Sequence, residues 1–392
     1  MRFLFVKDTL AWPRSSGHDV HCFYMMQALT RLGHEVSLLT AAEPAPEAVA
    51  GLPLALQRCF GANAEVGMPF WSPTRLQERF RSYWGVSDDR IAAVARAAQD
   101  CRADVVVVVG LNVLPYLLGV RNACRIWYAA DEWAWHHLSQ IRLTQPGTWS
   151  EFRTALVKGL YERAYRSILD RVWVVTEADR RAMRWVAGVG NIDVLPNGVD
   201  GEHYRPLEVH QHEQSCVFWG RLDFGPNIQA LEWFRRQVWP EVRRRIPDAR
   251  FTIYGFNATE PVRALAGQDG VNLIADLPDL RPEIARHQVV VLPFVSGGGI
   301  KNKLLEAAGM GKAIVCTAQA CRGLRLDGAA PFVQPRDAVE WARVIPALCA
   351  DPPWRDRLGA EARQWVLKKH SWAAAAGDAV QGIEQSLRGQ GR

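Results

Sequence analysis

Short apolar runs alternate with helical patterns along almost the whole chain. "RFLFV" (Arg2–Val6) reads as a strand. After a loop with Pro13 and Gly17, Cys22, Met25, Leu29 and Leu32 recur at three- and four-residue steps. That spacing predicts a helix, and Gly33 stops it. "EVSLLT" follows as a strand, completing a β-α-β unit that calls for a parallel sheet. Further strands are predicted at "DVVVVVG", "RIWYA", "RVWVV" and "IDVLP", with a long helix around Glu151–Asp170. Phe60–Val86 has no clean period and mixes aromatics with arginines.

"LPNGVDGEHYRP" (Leu195–Pro206) is rich in turn residues, and the polar "LEVHQHEQS" follows it, which places a linker there. A second series begins at "CVFWG" and continues through "RFTIYG", "VNLI", "VVVLPF" and "AIVCT", with helices between, such as Ile228–Ile246. The chain thus reads as α/β, in two halves. Its 392 residues exceed one ordinary core. The predicted division is residues 1–200, 201–370, and a terminal helix at 371–392.

A net charge of +6 suits anionic ligands or a negatively charged membrane surface. The eight cysteines form no CxxC pair and no zinc spacing, which predicts a reduced cytoplasmic protein. No apolar run is long enough to span a membrane, and the apolar start is too short for a signal peptide.

The chemistry concentrates in "SGGGIKNKLLEAAGMGK" (Ser296–Lys312), between two apolar strands. The first N–H groups of a helix lack partners, and its dipole is positive there. Gly297, Gly298 and Gly299 let backbone approach a phosphate, while Lys301 and Lys303 supply charge. Glu306 shares a helix face with Lys303, and its carboxylate suits paired sugar hydroxyls. Phosphate beside diol is the polar outline of a nucleotide. A plain tight turn before a solvated Lys–Glu helix is the alternative. The turn is not a Walker A loop, and no GxGxxG follows "RFLFV", which disfavours a Rossmann dehydrogenase.

Other residues have competing readings. Arg221 ends the strand "CVFWG", where α/β sheets bind ligands, or it is a surface ion-pair arginine. Asp131 and Glu132 follow "RIWYA" and could orient an acceptor hydroxyl or act as base, or cap a helix. His18, beside Gly17, could touch a phosphate or acceptor, or lie on a surface loop. The aromatic and arginine-rich segment Phe60–Trp84 has the mixed character of a peripheral membrane contact, or is a loop packed on the first half. No nucleic-acid partner is expected, since no reading motif appears.

"DVLPNGVD", "FWGRLDFGPNIQAL", "VVLPFVSGGGIKNKLLEAAGMGKAIVCT" and "HSW" before a helix, in this order, resemble the GT-B fold glycosyltransferases of family 4. The flavour of "GGGIKNKLLEA" looks like bacterial exopolysaccharide enzymes. The resemblance implies two Rossmann-like domains facing a cleft, a terminal helix crossing back, and a nucleoside-diphosphate sugar as donor. Carried over, Arg221 and Lys303 bind the diphosphate, Glu306 the ribose, the Gly297–Gly299 turn the donor phosphates or sugar, and Gly17 the donor from the opposite domain. His18 and Asp131 are the catalytic candidates. The acceptor would be a glycan or lipid-linked sugar, transfer would be retaining, and no metal or other cofactor is expected. The sequence departs from the family in having Gly298 where a first carboxylate stands, Ala130 in place of a histidine, and no lysine shortly after Gly220–Arg221. These losses motivate two rivals: a nucleotide-sugar-binding scaffold without turnover, and an epimerase on the same fold.

Overall fold

The computed structural model describes residues 1–12, 17–61, 74–130, 148–297, 299–326 and 328–390. Two compact units emerge: Met1–Pro196 together with Ala375–Arg392, and Asn197–Ala374.

The first unit holds seven parallel strands: β1 (Arg2–Lys7), β2 (Glu35–Thr40), β3 (Leu56–Cys59), β4 (Val105–Val109), β5 (Cys124–Ala130), β6 (Arg171–Val174) and β7 (Ile192–Val194). Their order is β3-β2-β1-β4-β5-β6-β7. Strands β1, β4 and β6 are almost wholly buried, so they read as unbroken apolar runs. Strand β3, at the sheet edge, is mostly exposed and carries the polar "LQRC". The segment without a clean period falls partly within the described residues. Its described portion contains a helix, Leu76–Tyr83, held by Phe80 stacking on Tyr161 at 4.4 Å. Residues 62–73 lie outside the described residues.

The second unit holds five parallel strands: β8 (His212–Arg221), β9 (Arg250–Phe256), β10 (Val271–Ala275), β11 (His287–Leu292) and β12 (Ala313–Cys316), in the order β10-β9-β8-β11-β12. Two sequence readings change here. Strand β8 begins at His212, inside the polar stretch taken as linker; its first residues are partly exposed and tolerate polar side chains. The helix expected over Ile228–Ile246 is α-helix at Gly225–Trp233, a π-turn at Phe234–Val238, and α-helix at Trp239–Arg245. Pro240, lacking an N–H, sits at the restart after that wider turn. The core is aromatic: Phe234 lies 4.8 Å from Phe251 and 5.9 Å from Trp341.

Candidate functional site

In the second sheet the chain runs outward from β8 to β9 and β10, then returns to β11 and β12 on the other side. Strand order therefore reverses between β8 and β11. Open α/β sheets bind ligands at the carboxyl ends of strands at such a point. Arg221 ends β8, and the glycine turn follows β11. Asn227 and Lys303, 76 positions apart in sequence, are thereby neighbours.

Gly297 (φ +92°) and Gly299 (φ +67°) adopt the left-handed conformation. A Cβ on Gly297 would come within 3.1 Å of Pro226 and 3.3 Å of Lys301 Nζ. The Gly297 carbonyl accepts from Lys301 Nζ at 3.1 Å and Gln319 Nε2 at 2.8 Å. Gly298 lies outside the described residues. The helix Asn302–Gly309 then starts with no side-chain cap.

Lys303 and Glu306 point into unit interior from that helix. Lys303 Nζ reaches Asn227 Oδ1 at 3.4 Å and lies 5.7 Å from the Phe218 ring and 5.8 Å from the Phe294 ring. Burial lowers its pKa, opposed by the Glu306 charge. Gly220 (φ +142°) makes the space: a Cβ there would stand 2.4 Å from Lys303 Cε. Glu306 Oε2 accepts the Trp219 indole N–H at 2.9 Å. Burial raises the Glu306 pKa, opposed by Trp219, the Lys303 ammonium and a hydrogen bond with Tyr204. Lys301 is pushed down to about 8, first by burial and then by the charges of Lys303 and Arg322. Two lysines and one carboxylate therefore sit half-sheltered at a strand end, the positive charge in excess.

Arg221 behaves differently from Lys303. Its guanidinium is half-exposed and forks onto Asp223, with contacts of 3.1 Å and 3.0 Å. Its carbonyl accepts from Asn227 Nδ2 at 2.6 Å, so Asn227 bridges the Arg221 backbone and the Lys303 ammonium. The Arg221 side chain is thus in an ion pair with Asp223 in the structure.

The start of the second unit is tied to the same helix. Asn197 Nδ2 donates to Asn302 Oδ1 at 2.6 Å. His370, buried, lies 3.1 Å from the Asn197 carbonyl through Nδ1, and its Nε2 accepts the Arg325 N–H at 3.0 Å. The backbone donor at Nε2 places the proton on Nδ1. Arg363 donates to the carbonyls of Tyr204 and Gly201, each at 3.2 Å, and to that of Gly309.

In the first unit, strand order reverses between β1 and β4. Gly17 and His18 were read as loop; they open the helix Gly17–Arg31. In its first turn, where a negative charge suits the helix dipole, Asp19 accepts from Lys7 Nζ at 2.7 Å and from the Ala11 N–H at 3.3 Å. A buried ion pair of this kind is stable only with such added hydrogen bonds. His18 faces the end of β4: a Cβ built on Gly110 would lie 3.8 Å from its Nδ1. Asp131, together with Glu132, lies outside the described residues.

Sequence reading missed Asn227, Trp219, Tyr204, Gly220, Lys7 and Asp19. Gly220, Trp219 and Asn227 all fall within "FWGRLDFGPN", whose Gly-Arg and Pro-Asn punctuation was the available signal.

Two α/β units, each with a parallel sheet and charged groups at a strand-order reversal, have the layout in which open α/β folds bind ligands. Residues 15–203 match the Glycosyltransferase Family 4 model and residues 213–351 the Glycosyl transferases group 1 model. The chain belongs to these GT-B fold glycosyltransferases. Among solved structures, it resembles the sucrose-phosphate synthase of Thermosynechococcus elongatus (TM-score 0.64, 15% identity, 99% of this chain and 100% of that one). It also resembles Anabaena HepE in complex with UDP-glucose (TM-score 0.64, 14% identity, 99% and 100%). A glycosyltransferase from Rickettsia africae superposes with a TM-score of 0.68 at 11% identity, covering 98% of each chain. A 44.6 kDa uncharacterized protein in the cps region of Klebsiella pneumoniae is 29% identical over 143 residues, which is 34% of this chain and 37% of that protein's length.

Proposed function

We propose that the protein moves a sugar from a nucleoside-diphosphate sugar to a hydroxyl of a glycan or lipid-linked acceptor in surface-polysaccharide synthesis, with retention of configuration. The observation that carries the reading is Lys303 and Glu306, held on one helix face behind a left-handed glycine turn at the β8/β11 reversal. Lys303 and Lys301 would take the phosphates, and Glu306 the ribose hydroxyls. Gly297, Gly298 and Gly299 would bring backbone to the donor, and Gly17 would be a further donor contact. Arg221 would reach a phosphate by leaving Asp223.

In the reaction the bond from the anomeric carbon to the diphosphate oxygen breaks, and the nucleoside diphosphate leaves with the electron pair. The acceptor oxygen bonds the same carbon and loses its proton. Asp131 or His18 would receive or position that proton. Charge grows on the departing diphosphate, where fixed cations act without reorganising. Lysines in that place support a metal-independent mechanism, so activity should survive EDTA.

HepE was solved with UDP-glucose and the Klebsiella relative lies in a cps region, which supports a UDP-sugar donor and a surface glycan. Calorimetric titration of UDP, GDP, ADP and TDP without metal tests the donor site. One diphosphate should bind the wild type and lose about 1–3 kcal/mol in Glu306→Ala. No binding by any of the four to folded protein would overturn it. A second reading, binding without turnover, is favoured by Gly298 and Ala130 standing where the family carries ionisable residues. Retained diphosphate binding without sugar transfer to any glycan acceptor or water would support it.

A further inference from the structure

The helix Thr148–Tyr165 connects β5 to β6 within the first unit. Its inner face packs inward, against the helix Leu76–Tyr83. Tyr161, Glu162 and Tyr165 are buried, Gln77 Nε2 donates to the Ala164 carbonyl at 2.7 Å, and the Tyr165 hydroxyl donates to the Gln77 carbonyl at 2.9 Å. Its outer face repeats apolar residues every four positions: Phe152, Leu156 and Leu160, with Leu156 56% exposed. Four-residue spacing makes these one stripe, and exposed Arg163 extends it. On the neighbouring helix, Glu177–Val186, Trp185 is 88% exposed, on the same side as the exposed Arg181 and Arg184.

Large apolar side chains clustered in water call for a partner. The charges say which kind. Among the described side chains of these two helices, the acidic ones are Glu162 and Asp179, both buried, and Glu177, paired with Arg180 at 2.7 Å. Apart from that Glu177–Arg180 pair, the charged side chains described on the outward side are basic. A second copy of the chain would set arginines against arginines, since a two-fold interface matches a patch with itself. A bilayer with anionic headgroups answers both features at once. Leucines enter the acyl boundary, arginines meet phosphates, and tryptophan favours the interface between them.

We propose that the outer faces of Thr148–Tyr165 and Glu177–Val186 form a docking surface for anionic lipid. This is a different surface from the Phe60–Trp84 segment first suspected, whose described helix lies against Thr148–Tyr165 through Phe80 and Tyr161.

Co-sedimentation of the full chain with phosphatidylcholine vesicles, with and without phosphatidylglycerol, tests this. The wild type should bind the phosphatidylglycerol vesicles and bind neutral ones more weakly. The double variant Leu156→Ser/Leu160→Ser should lose affinity by at least about tenfold, the scale of burying one leucine. Arg181→Glu/Arg184→Glu should lose it selectively on anionic vesicles, with thermal melting curves showing that both variants fold. Absence of wild-type binding, or equal binding by wild type and the leucine variant, would overturn the proposal. So would a wild-type dimer in analytical ultracentrifugation that the leucine variant abolishes, which would assign the surface to a second copy. No sugar donor is present in any arm, so the result is independent of the transfer reading.

Discussion

The Trp219 indole N–H donates to Glu306 Oε2 at 2.9 Å, across 87 positions of sequence. The bond joins a strand end to a helix face and leaves the other carboxylate oxygen oriented. Burial raises the Glu306 pKa, and this donor, the Lys303 charge and Tyr204 work against that rise. Trp219→Phe keeps most of the ring and removes the donor. Nucleoside-diphosphate affinity should fall by about 1–3 kcal/mol in calorimetry, and the loss should shrink in a Glu306→Gln background.

Gly220 and Gly255 separate function from folding. A Cβ at Gly220 would meet the flexible end of Lys303, whereas one at Gly255 would stand 1.9 Å from the Gly220 carbonyl oxygen. Gly220→Ala should therefore fold with a cost of about 1–3 kcal/mol for its strained backbone and weaken diphosphate binding. Gly255→Ala should fail to yield folded protein. Thermal melts beside titrations distinguish the two.

Lys301 ties affinity to pH. Its ordinary value near 10.5 is lowered to about 8, so its charge is lost as pH rises through that value. Diphosphate affinity should decline between neutral and alkaline pH. Lys301→Arg, charged throughout, should bind with a flatter profile over the same range.

His370 sets the acid limit of the second unit. Burial pushes it down to about 4, from an ordinary 6.5. The unfolded chain then binds more protons between those values, so stability is lost as pH falls through the window. His287, pushed down to about 3, acts in the same direction. Urea midpoints measured from pH 7 to pH 4 should fall for the wild type. His370→Gln, which does not titrate there, should start lower and fall less steeply.

Much of the fold was legible because buried parallel strands read as continuous apolar runs. Strands β1, β4, β9 and β11 are examples. Strand β3 and the start of β8 were not, since partial exposure admits polar residues that mimic a loop. The π-turn at Phe234–Val238 left no periodic trace, only Pro240 beyond it. In the candidate site, the Lys303–Glu306 spacing was visible because helical neighbours lie three apart. Asn227 and Trp219 were invisible in that role because sheet order, not sequence distance, brings them to Lys303 and Glu306.

The burial of Lys301, Lys303 and Glu306 has a cost when nothing is bound, because each charge is held where solvent stabilises it less. Replacing Lys303 by methionine, of similar reach and no charge, would relieve that strain while removing the phosphate contact. Selection for heat resistance alone would erode this helix face first. In that sense this helix face is suited to what it would hold more than to the melting point the unit attains.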